Sequence, residues 1–467
     1  MGEDQFHGAC EVKVKLEHRL TQAPLIRLLL HYSLPAIGAY FISELYNMVD
    51  TYYVGHAIGL TGVAALGCAF PIQRLVIAFS LMFAFASANQ LAFQLGRGDR
   101  GEARHILFHA SAINFVYLLP FSLIIFLFRD SLLPLLGAKG TIAAPAKEYI
   151  GIVIWGSLFL GLSNTWTRIT LALGRIYISV FSMALGAILN IIFDILFVVH
   201  LHEGVRGAAY ATLLSQILSA AFAAVVYHQS LRRNALRARA RFSFQRIIQL
   251  SRAGLPSFIV ESEDAIVIAA LNSLIFRLAD VIGVSVLTIA TKIYMFFFVI
   301  ILGFAYGMQT IVAFNQGAGQ YCRVRQCFRI SLGLSLLSIL PLYALGLYAT
   351  EDLLAFFVSD SELIQVGVPC FRHMLLVFPL LAFYYSTTMF LQALGAERWA
   401  SFLSLLRQIA ILIPLAAFAV FVLKPSLSDF FYVYPVTDLL AIVFAGLVLK
   451  SFYPNLERIG VSTHGPS

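Results

Sequence analysis

Two carboxylates, an amide and a hydroxyl stand where hydrocarbon would surround them. Asp50 lies in LPAIGAYFISELYNMVDTYYVGHAIG (residues 34–59), and Asn190, Asp194 and Thr212 flank a second apolar hairpin. A charged side chain at mid-membrane costs about 3 kcal/mol on insertion scales, so such groups line a pathway or pair with something. Counting from the hairpin loops near Gly59 and Glu203 at about 1.5 Å per residue puts Asp50, Asp194 and Thr212 at one depth, on the order of 13 Å below a surface. Asn190 shares the face of Asp194 one turn deeper, and Tyr46 shares the face of Asp50. Like charges and desolvation both favour a neutral acid, so the set suits shared protons. Its oxygen-only donors equally suit a hard cation such as Na⁺ rather than a transition metal.

The same counting isolates a second set. Glu44 and Arg74 are equally far from Gly59 on adjacent antiparallel helices, so they are expected to meet as a buried ion pair. Asp264 and Lys292 are expected to do the same around the hairpin near 279, with Glu261 or Glu263 as alternative partners of Lys292. Breaking such a pair leaves a lone buried charge and costs about 3–5 kcal/mol. Glu261, Glu263 and Asn272 are secondary candidates for cation or substrate contact. His373 reads as a satisfied packing residue rather than a proton relay. Pro35 removes a backbone donor and crowds the preceding turn, so it is expected to kink or hinge the first helix.

These groups need a membrane scaffold, and the composition supplies one. Of 467 residues 60% are hydrophobic and 12% charged, about half the charge of a soluble domain. Spanning helices need about 20 mostly apolar residues, and twelve are expected: 25–56, 62–92, 106–128, 149–167, 177–199, 207–228, 247–276, 283–313, 330–349, 364–391, 402–422 and 430–449. Arginines collect in alternate connections, notably 229–246, which by the positive-inside rule makes both termini and that linker cytoplasmic. The net charge of +8 is thereby explained without nucleic acid. Five scattered cysteines lack metal or redox spacing.

The chain also repeats itself at an offset of 221 residues: Pro35 with Pro256, Gly62-Val63 with Gly283-Val284, Arg104 with Arg325, Ala172-Leu173-Gly174 with Ala393-Leu394-Gly395. Six spans per repeat is even, so the halves share an orientation and are related by an axis along the membrane normal. The expectation is an all-α polytopic protein: cytoplasmic tail 1–24, first lobe 25–228, basic linker 229–246, second lobe 247–449, cytoplasmic tail 450–467. At that offset Asp50 falls on Leu271, so the acidic site belongs to the first lobe alone. No nucleophile elbow, phosphate loop or His–Glu metal motif is present, so neither enzyme nor cofactor is expected and transport must run on an ion gradient.

Pro35 with Leu45-Tyr46-Asn47-Met48-Val49-Asp50, Ala69-Phe70-Pro71-Ile72, Asn190 with Asp194 and Gly204-Val205-Arg206-Gly207-Ala208-Ala209-Tyr210-Ala211-Thr212 together resemble the multidrug and toxic compound extrusion (MATE) family. Gly307-Met308-Gln309, Phe314-Asn315-Gln316-Gly317-Ala318 and Arg407-Gln408 with Pro414 are similar to its staphylococcal-type branch. The resemblance implies twelve helices in two lobes and alternating access, with export of organic, often cationic and amphipathic, compounds in exchange for H⁺ or Na⁺. It implies cation coupling at Asp50, Asn190, Asp194 and Thr212, supported by Tyr46, Tyr149 and Asn164, with Pro35 as the bending proline. A monomer in a bacterial inner membrane is expected. The runner-up is a flippase for a lipid-linked precursor, and a membrane-embedded enzyme is the third reading.

Overall fold

Within lipid every backbone N–H and C=O must bond inside its own segment, so a chain this apolar can cross only as helices. The computed structural model describes residues 22–96, 99–173, 175–236 and 240–452. Arg237 and Arg239 of the expected basic linker, and most of both expected tails, lie outside them. So do the side chains of Pro35 and Tyr46, although the first helix runs through both positions.

The first three spans are Leu25–Ile58, Leu60–Gly96 and Arg100–Leu135. The fourth joins Ala143–Val153 to Ser157–Ala172 through a tighter turn. The fifth, Ile176–Asp194, ends in a π turn at Ile195–His200, and the sixth is Gly204–Arg233. The seventh and eighth form one stretch, Phe244–Gly317, broken at Ala279 and Asp280. The ninth is Tyr321–Tyr348, and the tenth joins Ser361–Leu375 to Leu381–Ala393. The eleventh begins at Glu397–Leu405 and carries π turns at Leu406–Leu412 and Ala419–Leu423; Val433–Phe452 is the twelfth.

Twelve spans thus stand among the described residues, and several outrun their expected ends. The third is expected at 106–128 but covers Arg100–Leu135, and the sixth continues to Arg233 into the expected linker. Polar residues hold these extra turns: Asp99 caps the third helix by accepting from the Glu102 N–H at 2.9 Å. The repeat is visible in the backbone. Gly59 (φ 79°) turns the first hairpin and Asp280 (φ 49°), 221 residues on, turns its counterpart. Both combine a positive φ with an extended ψ (−156° at Gly59, −139° at Asp280), which glycine adopts freely and which strains the backbone at an aspartate.

Helix two packs along helices seven and eight, and this seam joins the lobes. On the side of the Gly59 hairpin, Ser285 Oγ donates to the Leu60 carbonyl at 2.9 Å and Asn272 Nδ2 to the Gly67 carbonyl at 2.8 Å. Gly67 lets helix eight approach so closely that a Cβ there would sit 2.0 Å from Thr288 Oγ1. On the linker side, a Cβ on Gly254 would stand 2.3 Å from the Met82 carbonyl oxygen, and Glu102 pairs with Arg246. The lobes therefore meet at both ends, around an interior left partly unfilled. Small residues permit this, as expected where van der Waals contact rather than the hydrophobic effect drives helix association.

Candidate cation and substrate site

Asn190, Asp194 and Thr212 are fully buried and Asp50 is 8% exposed. With its amide nitrogen toward the acid, Asn190 donates to Asp194 Oδ2 at 2.9 Å and accepts from the Thr212 N–H at 3.2 Å. In the opposite orientation the amide instead reaches Thr212 Oγ1 at 3.4 Å. The hydrogen-bond network selects the first, because it satisfies both ends of the amide. Asp194 closes its helix and a π turn follows at once, an irregularity often found where a helix carries function.

Asp50 comes from the first helix and lies within electrostatic reach of Asp194. Its carboxylate accepts from Tyr149, whose hydroxyl in turn accepts from Gln73 Nε2 at 3.0 Å. Gln73 is not among the expected site residues; its only signal is an amide beside Arg74 in an apolar span. Asn164 does not join this group and donates to Ser80 Oγ at 2.8 Å. Asp50 Oδ1 and Asp194 Oδ1 are both buried with no hydrogen-bond partner among the described residues. Buried carboxylate oxygens are costly in that condition unless a proton or cation takes the lone pairs.

The second set is re-partnered. Arg74 does not pair with Glu44; its Nη2 lies 3.8 Å from Asp264 Oδ2, across the lobe boundary. Lys292 does not pair with Asp264, Glu261 or Glu263; its Nζ sits 4.0 Å above the Phe70 ring, while Arg74 Cζ lies 5.1 Å from the same ring. Counting from hairpins fixes depth correctly, but rotation about each helix axis points Arg74 at helix seven rather than helix one. Asp264 Oδ1 also accepts from Gln408 Nε2 at 3.3 Å. Glu263 accepts from Ser404, Glu261 lies within electrostatic reach of Arg74 and Asp264, and Asn272 is committed to helix two. His373 is fully used, with Nδ1 2.8 Å from the Ser428 carbonyl and Nε2 3.0 Å from the Tyr432 hydroxyl.

One buried pair lies beyond what the sequence reading finds. Arg407 Nε and Nη2 lie 2.9 and 2.7 Å from Asp438 Oδ1, and Nη1 donates to the Tyr385 hydroxyl at 3.2 Å. Each is a lone charge in an apolar span, which is the available signal. Arg407 lies in the π turn Leu406–Leu412, so plain helical counting misplaces its face.

Between the lobes lies a cavity of about 70 Å³, lined by Phe70, Asp264, Asn272, Lys292, Arg407 and Gln408 among others. No group of three or more His, Cys, Asp or Glu suited to a metal occurs among the described residues.

The fold has known counterparts. The MatE family model matches residues 35–196 and 258–418, one stretch in each half of the chain. The chain is 21% identical over 404 residues to the multidrug export protein MepA of Staphylococcus aureus, covering 84% of this chain and 87% of that one. It is 23% identical over 361 residues to the FAD transporter of Shewanella oneidensis, covering 75% and 78%. Among solved structures, an inward-facing multidrug resistance MATE family transporter of the MOP superfamily matches with a TM-score of 0.83 at 23% identity, over 89% of this chain and 95% of that one. The MATE multidrug transporter DinF-BH matches with a TM-score of 0.69 at 28% identity, over 92% and 96%. Two six-helix lobes, a repeat visible in sequence and backbone, and a family model matched across both halves lead to one conclusion: this chain belongs to the MatE family and is a multi-pass membrane transporter, not an enzyme.

Proposed function

We propose that this transporter is a secondary antiporter that exports organic amphipathic compounds in exchange for H⁺ or Na⁺. The coupling ion binds at Asp50, Asn190, Asp194 and Thr212, and its exchange biases the first lobe between shapes that open the central cavity to alternate sides. The observation that supports this reading is the pair of buried, unpartnered carboxylate oxygens on Asp50 and Asp194. Two acids within electrostatic reach in a low-dielectric interior repel each other unless a cation or proton intervenes. A bound ion thus changes the energy of that lobe by an amount the substrate can exploit. Pro35 is the candidate hinge on the same helix, and Tyr149 orients Asp50.

In this reading the transporter works as a monomer in a bacterial inner membrane with both termini cytoplasmic, an orientation that the arginine-rich connections support. Relatives are named as a multidrug export protein and a FAD transporter, so drugs and FAD are both candidate cargo. The decisive experiment uses proteoliposomes containing the cationic dye rhodamine 6G, with a pH gradient and a sodium gradient imposed separately. Dye movement driven by one gradient, with ion release on dye addition, supports antiport and identifies the ion. Movement indifferent to both gradients overturns the reading, and movement of lipid-linked cargo alone would support a flippase.

A further inference from the structure

Of the charged groups that line the cavity, one has no direct partner. Asp264 is committed to Arg74 and Gln408. Arg407 is committed to Asp438, a bond to a fully buried carboxylate. Lys292 remains. It lines the cavity, its Nζ lies 4.0 Å above the Phe70 ring, and it has no hydrogen-bond acceptor or ion-pair partner among the described residues. Glu44 and Asp50 attract it electrostatically but form no ion pair with it. An ammonium has three donors. A cation–π contact offsets part of its desolvation but accepts none of those hydrogens.

We propose that Lys292 is the anchor of a substrate subsite for an anionic group, a carboxylate, sulfonate or phosphate carried by an amphipathic molecule. The inference rests on the export reading above but reverses the sign of charge expected of the cargo. The cavity of about 70 Å³ has room for roughly half a dozen water-sized positions, which is the scale of one anionic headgroup rather than of a whole drug. Asn272 and Gln408 line the same cavity, each amide with a second N–H beyond the one given to Gly67 or Asp264, while Phe70, Tyr294 and Met295 supply the apolar wall against which the attached hydrocarbon or ring would lie. The rest of the molecule enters when the lobes part along the helix-two seam. Arg407 keeps its partner throughout, so Lys292 is the cavity cation left to contact the added negative charge.

Two xanthene dyes of opposite charge test this on purified full-length transporter in detergent: anionic fluorescein and cationic rhodamine 6G, followed by fluorescence anisotropy. The wild type is expected to bind fluorescein. Lys292→Gln is expected to weaken fluorescein about tenfold, the worth of one charge-assisted contact, with no weakening of rhodamine 6G. Lys292→Arg should retain most of the fluorescein affinity, and monodisperse elution with an unchanged melting temperature excludes misfolding as the cause. Fluorescein affinity unchanged in Lys292→Gln, or no fluorescein binding by the wild type, overturns the subsite. Dihexanoyl phosphatidylglycerol added as competitor, with dihexanoyl phosphatidylcholine as control, separates the sources of the anion. Displacement by the former alone assigns a lipid headgroup, and no displacement by either assigns a soluble solute. Gradient-driven export of rhodamine 6G is measured separately, so failure of the antiport reading and failure of the subsite give different results.

Discussion

Arg74 and Asp264 lie 3.8 Å apart and come from different lobes. They form a charged tie across the seam that must part if the cavity opens. Their side chains are 17% and 29% exposed, between the limits where an ion pair is worth almost nothing and where breaking it costs several kcal/mol. A single reversal, Arg74→Glu or Asp264→Arg, is expected to lower stability by about 2 kcal/mol. The double reversal should regain most of that loss. Thermal melting of the four purified proteins gives the coupling energy directly. A double variant no more stable than the sum of the singles would show that the two charges do not interact.

Asp50 and Asp194 should separate binding from coupling. Replacing either by Asn keeps the shape and removes the charge that a proton or Na⁺ would neutralise. Asp50→Asn and Asp194→Asn are expected to fold and to bind rhodamine 6G, yet to lose uphill, gradient-driven export. Asn190→Ala leaves both acids but deletes the amide between Asp194 and Thr212. It should raise the ion concentration for half-maximal export roughly tenfold, the value of one hydrogen bond to a charged group. Vesicle uptake with stepped ion concentrations measures both effects, and wild-type uphill export in both aspartate variants would sink the site assignment.

The Arg407–Asp438 pair makes a different demand. Its members are 5% and 0% exposed, so removing one strands the other as a bare charge. Arg407→Met and Asp438→Leu are each expected to cost about 3–5 kcal/mol, while the double variant costs far less because both charges leave together. Detergent-solubilised melting temperatures decide it. Equal losses in single and double variants would mean that the pair contributes only packing.

What can be read from the chain alone follows from what helices make countable. Depth is legible: the rise per residue is fixed and the hairpins are short, so Asp194, Asn190 and Thr212 do come together. The lobe repeat is legible, and its hairpins, expected near Gly59 and 279, turn at Gly59 and Asp280. Rotation is not. Counting gives Arg74 the right height and the wrong neighbour, because the partner of a helix face depends on how non-adjacent helices pack. Asn164 enters through the family resemblance rather than by counting, and within the same lobe it donates to Ser80. Arg407 is hidden by its π turn, since an irregular turn breaks the periodicity on which face assignments rest.

Gly55 offers a test of lobe closure that leaves charges alone. It lies near the end of the first helix against the segment around Phe357, and a Cβ there would stand 2.1 Å from the Phe357 carbonyl oxygen. A backbone carbonyl cannot swing away as a flexible side-chain end can, so Gly55→Ala must push the two lobes apart at that point. Alanine is also the better helix former by about 1 kcal/mol, which protects the helix itself from the substitution. The expected result is a correctly folded protein whose population shifts toward the form open on the Gly59 side. Gly151→Ala is the control, because a Cβ at that position would meet nothing within 4 Å. Spin-label distances between the lobes should lengthen on the Gly59 side in Gly55→Ala and stay unchanged in Gly151→Ala. Identical distance distributions in the two variants would show that the Gly55–Phe357 approach does not govern closure.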